Sequence, residues 1–213
     1  MAELVIPSLL QTLYMVFFST VFSILIGFPL GILLVITEKG NIWEKPILNN
    51  VLNSIINLLR SFPFLILMIL LFPLSKLIIG KTIGTTATIV PLSIAAAPFV
   101  ARVMESSLKE VDRGVIELSL SMGATTPQII TRVLIPEALP SIILGITLTI
   151  INIIGYSAMA GSIGGGGLGD LAIRFGLYRF QTNVMVIAVI IIIILVQSVQ
   201  FVGNTISAKL NKK

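Results

Sequence analysis

Cysteine and histidine are missing altogether from this 213-residue chain. Their absence excludes a Cys/His zinc site, a thiol nucleophile, a Ser-His-Asp triad, a disulfide and a His-ligated haem. Charge is nearly as scarce, at 11% of residues, against about 25% in a soluble domain. So few charged side chains cannot cover a water-facing surface, and lipid is the alternative solvent. Charge-free runs cover 4–37, 61–75, 82–101, 138–169 and 180–208. A spanning helix takes about 20 apolar residues, so four of the runs suffice alone. The short one at 61–75 suffices if Arg60 or Lys76 snorkels to an interface. The expected fold is an all-α membrane protein of five transmembrane helices, a single domain over 1–213. The start, Met1-Ala2-Glu3-Leu4-Val5, lacks the positive n-region of a signal peptide, so the first span is expected to be retained.

The expected spans are 8–37, Asn53 to Ser75 with Pro63 and Pro73 kinking or ending it, Thr82 to Glu105, 138–160, and Asn183 to Ser207. Trp43 suits an interfacial loop. Ten of the fourteen basic residues fall on one side if the N-terminus is outside: Lys39, Lys45, Arg60, Arg102, Lys109, Arg113, Arg132, Lys209, Lys212 and Lys213. The positive-inside rule therefore predicts N-out and C-in, with 105–137 cytoplasmic. Basic residues do not cluster on a soluble face, which argues against a nucleic-acid partner.

Segment 105–137 concentrates charge: Glu105, Lys109, Glu110, Asp112, Arg113, Glu117, Arg132 and Glu137. It reads as two short helices with a corner. Gly123 can take the left-handed conformation that ends the first. Thr126-Pro127 reads as N-cap and N1 of the second. Ile129, Ile130, Val133 and Leu134 form one apolar stripe, and Pro136 is expected to stop that helix and begin the next. The residues alone leave two readings open. The stripe could lie on lipid headgroups, against which Arg132 is its only base where surface helices are rich in Lys and Arg, or enter a groove on a protein partner.

Glu117-Leu118-Ser119, Gly123 and Val133-Leu134-Ile135-Pro136 resemble the EAA loop of ABC-importer membrane subunits, E-A-A-x3-G-x9-I-x-L-P. The spacing agrees throughout, with Leu118 and Ser119 for the two Ala, Val133 for Ile and Ile135 for Leu. Arg60-Ser61-Phe62-Pro63-Phe64, Ala95 to Arg102, Pro136-Glu137-Ala138-Leu139-Pro140 and Gly155 to Gly161 resemble the methionine-importer permeases, so the likeness spans essentially the whole chain. It implies an ABC importer type I permease fold in a bacterial inner membrane. It implies that Glu117, Gly123, Pro127, Ile130, Val133, Ile135 and Pro136 contact the ATPase as a coupling helix. It also implies a second permease copy as a homodimer, a pair of ABC ATPase subunits, and an extracytoplasmic methionine-binding lipoprotein. Asn152, Tyr156, Ser157 and Met159, beside a glycine-rich break, become candidate substrate-pathway residues on the same ground.

Other motifs have plainer readings. Gly161 to Gly169 holds six glycines but no Lys, so it is expected to be a tight re-entrant turn and not a phosphate loop. Gly80-Lys81-Thr82 lacks the required glycine at position 75, which is Ser75. No cofactor is expected in this chain, and ATP–Mg belongs to the partner. Gly27-x3-Gly31 is expected to be chance or a local kink, because small-xxx-small spacing is frequent in membrane helices. Ile187 to Val196 is expected to face lipid. None of the charge-free runs carries the carboxylate that ion-coupled carriers hold at membrane depth, and no nucleotide motif is present. The expected function is therefore a passage driven by an external motor, for methionine. Another amino acid, a short peptide or an ion-coupled mechanism are the alternatives.

Overall fold

Away from water a backbone must bond to itself, and a helix does so within one segment. Every regular element among residues 2–211, which a computed structural model describes, is helical. Lys212 and Lys213, two of the basic residues assigned above to the cytoplasm, lie outside the described residues, as does Met1. Four helices are long and apolar enough to cross a bilayer: α1 (Ala2–Ile36), α5 (Thr85–Lys109), α8 (Ile135–Gly161) and α10 (Thr182–Leu210).

The span expected over Asn53–Ser75 is not one helix. α2 (Pro46–Ser61) starts well before Asn53 and stops at the Phe62-Pro63 step, where α3 (Phe64–Leu70) leaves at 102°. α4 (Phe72–Ile79) follows with Pro73 in its first turn and ends on left-handed Gly80. Pro63 holds Phe62 extended (φ −73°, ψ 131°), which a helix cannot continue through. Counting α2 and α3 as one broken span gives five crossings, and otherwise there are four.

The frame is built on α1 against α5. Gly27 and Gly31 are neither chance nor kink, because both face α5 at van der Waals distance. A Cβ on Gly27 would sit 2.5 Å from the Ala97 carbonyl oxygen, and one on Gly31 would sit 2.6 Å from Met104 Cβ. The expectation failed because spacing alone does not say which face a glycine occupies. α8 packs on α5 through Gly145, where a Cβ would overlap Val103, and on α10, where Ser207 donates to the Pro140 carbonyl at 3.0 Å. Of the Ile187–Val196 run only Ala188 is buried.

The stop expected at Pro136 does not occur. Residues Thr126 to Gly161 run on as 36 helical residues, through α7 (Thr126–Ile129), a π-helical turn (Ile130–Leu134) and α8. The Ile135 N–H reaches the Ile130 carbonyl, five residues back. The wider turn makes room for a proline that would otherwise strike the preceding turn.

Candidate functional site

The corner at Gly123 follows from local bonding. α6 (Arg113–Ser121) is capped by Asp112, whose carboxylate accepts the Gly114 N–H at 2.6 Å. At its other end Gly123, at φ +80°, donates to the Leu120 carbonyl (2.9 Å) and Ala124 donates to Ser119 (3.0 Å). That pair of bonds is the Schellman motif, which needs a left-handed residue at this position. The next helix is capped one residue earlier than expected. Thr125, not Thr126, is the N-cap, and Gln128 closes a capping box by accepting the Thr125 N–H at 2.8 Å. Thr126 loses because Gln128 falls three residues after Thr125, the spacing the box requires.

The apolar stripe is turned inward. Ile129 and Leu134 are fully buried with Val35, Met104 and Leu108, and Ile130, Val133 and Ile135 pack around them. They seat the corner on the chain's own body, with Ile130, Val133 and Ile135 still partly exposed. Glu117, Gly123, Pro127 and Pro136 are exposed. So are four apolar side chains outside the expected coupling set: Val115, Leu118, Leu120 and Met122, the last 80% exposed. α6 buries none of its residues. Ile116 alone of its apolar residues packs against the core cluster, which leaves the others outward.

Above the corner a charge network ties three helices together. Glu105 accepts from Arg102 (2.6 Å) and from Lys109 (2.9 Å), and Lys109 also reaches Glu38 at the end of α1 (3.0 Å). The other arm of Arg102 donates to Asn57 on α2 at 2.7 Å.

A second feature lies where α2 breaks. A cavity of about 280 Å³ is lined by Arg60, Phe62, Phe64, Phe99, Asn152 and Tyr156, among others. Phe64 and Tyr156 stack in parallel, with ring centroids 4.3 Å apart and planes 2° apart. Of the four pathway candidates, the cavity unites Asn152 and Tyr156. Ser157 is buried on another side of α8 and donates to the Ile154 carbonyl at 2.8 Å. Met159 is half-exposed on the face of Tyr156, outside the cavity.

The glycine-rich stretch turns tightly, with Gly164, Gly166 and Gly167 all at positive φ. It then enters α9 (Gly167–Leu171), whose first amides are occupied. Gly167 N–H donates to Gln11 Oε1 and Leu168 N–H to Thr12 Oγ1, each at 2.9 Å. A Cβ at Gly169 would fall inside the Ala158 backbone. The glycines thus lock α9 against α1 and α8.

Comparison with known proteins decides the family. Residues 27–212 match the family of binding-protein-dependent transport system inner membrane components. The chain belongs to that family. Among its curated members, Probable D-methionine transport system permease protein MetI of Pasteurella multocida is 50% identical over 211 residues, 99% of this chain and 97% of that protein. Methionine import system permease protein MetP of Bacillus subtilis is 45% identical over 181 residues, 85% and 82% of the two chains. A solved chain from inward-facing conformations of the MetNI methionine ABC transporter superposes with a TM-score of 0.98 at 40% identity, covering 100% of this chain and 98% of its own. In this family member the apolar helices are those of a multi-pass transport permease.

Proposed function

We propose that this chain is the membrane-spanning subunit of an ATP-driven methionine importer. The observation that carries the reading is the full-length likeness to methionine permeases, joined to a solvent-exposed corner built on Gly123. Two copies form the passage, and an ABC ATPase pair binds the two corners from the cytoplasm. ATP–Mg is held and hydrolysed there, and a substrate-binding protein delivers methionine from outside. The termini lie N-out and C-in.

The geometry suggests how force travels. Ile129 and Leu134 clamp the corner to the frame, while exposed α6 and its C-cap offer Leu118 and Met122 to the ATPase. Because α7 runs into α8 without a break, movement of the corner is carried along one helix to Asn152, Tyr156 and Met159. A stiff helix transmits a tilt over this length without a relay of side chains.

The test is co-purification from native membranes followed by uptake of labelled methionine. An ABC ATPase should accompany the chain, and unlabelled methionine should compete better than other amino acids or short peptides. Retrieval without an ATPase, or competition led by another solute, would overturn the corresponding part.

A further inference from the structure

The cavity at the break in α2 holds three polar side chains that no other protein group bonds. Among the described residues Arg60, Asn152 and Tyr156 make no hydrogen bond or ion pair, although every other wall they share is apolar or aromatic. Arg102, by contrast, is satisfied by Glu105 and Asn57. Arg60 lies within one turn of the bend in the α2–α3 span. Arg60 is exposed and Asn152 and Tyr156 are half-buried, so all three can meet a solute that enters from the open side. No carboxylate lines the cavity.

We propose that this corner is a binding site within the permease for a neutral α-amino acid, with Arg60 as the carboxylate ligand. The inference rests on the methionine-import reading and adds the chemistry of recognition. The guanidinium fork matches a carboxylate with two parallel bonds. Asn152 Oδ1 and the Tyr156 hydroxyl oxygen can accept from the ammonium group. Phe62, Phe64 and Phe99 surround an apolar side chain, and a thioether gains from contact with aromatic rings. A basic side chain finds no acid here, and an acidic one leaves its second carboxylate unpaired. The volume of about 280 Å³ lies at the small end for ligand sites, which suits one amino acid and not a peptide.

The experiment uses a diazirine photo-reactive analogue of methionine on the purified permease–ATPase complex without binding protein. Label is expected on segments 59–67 and 152–156. Methionine should compete at least tenfold better than methioninol, which carries an alcohol in place of the carboxylate. Arg60→Gln should lower labelling at least tenfold while the complex still assembles, and Arg60→Lys should restore part of it. Equal competition by methioninol, wild-type labelling in Arg60→Gln, or label elsewhere would overturn the site. Methionine uptake by the wild-type complex in liposomes, with the substrate-binding protein supplied, is scored separately. Uptake together with one of those labelling results overturns the site alone, whereas failure of uptake overturns the import reading.

Discussion

The α1–α5 seam and the corner between α2, α3 and α8 use the same few residue types to opposite ends. In the seam, glycines bring backbones into contact and some hydroxyls bond back to their own helix, as Thr12 does to Ser8 and Ser93 to Ile89, while those of Ser19 and Thr20 are buried without a partner. In the corner, a proline forces the backbone apart, and Arg60, Asn152 and Tyr156 keep their bonding capacity unspent. Close packing makes the first a rigid frame. Unspent polar groups around a cavity make the second a place where a solute can replace water. The contrast teaches where to look for function in so apolar a chain: at polar groups that the fold has not used.

The largest effect should come from breaking the seam. Gly27→Val puts a branched side chain where even a Cβ meets the Ala97 carbonyl at 2.5 Å. Forced overpacking costs about 3 kcal/mol, read as a lower melting temperature in detergent and less protein in the membrane. Glu105→Ala comes next. It strips the shared acceptor from Arg102 and Lys109 and should cost about 2 kcal/mol, because partly buried cations lose a charge-assisted bond. Gly123→Val meets no atom within 4 Å, so its penalty is conformational, about 1–2 kcal/mol. Membrane insertion should persist while pull-down of the ATPase falls, and unchanged pull-down would misplace the docking corner. Smallest in stability is Tyr156→Ala, which removes the stack on Phe64 for about 1 kcal/mol. Its transport should fall far more than its stability, whereas Gly27→Val should lose both together. Equal losses in the two variants would erase the contrast.

Much of the fold was legible because lipid imposes a crude code. Charge-free runs marked four spans, and Pro63 marked the break. The code failed where helices are not uniformly apolar. α2 begins at Pro46, but Asn49, Asn50, Asn53 and Asn57 hid it from any search for apolar runs. It also failed on direction. Ile129 and Leu134 form as good a stripe as Leu118 and Met122, yet the former pair is buried and the latter exposed. Periodicity defines a face, and only the fold decides what covers it. Arg60 stood out in the Arg60-Ser61-Phe62-Pro63-Phe64 stretch, but not its place beside Phe99, Asn152 and Tyr156, which lie about 40 and 90 residues away in the chain.

The central claim is that this chain supplies a passage and borrows its force. Reconstitution in liposomes tests it, with labelled methionine and the substrate-binding protein outside and the permease incorporated alone or with its co-purified ATPase. Accumulation above the outside concentration is predicted only when both the ATPase and ATP are present. Uphill uptake by the permease alone would contradict the account.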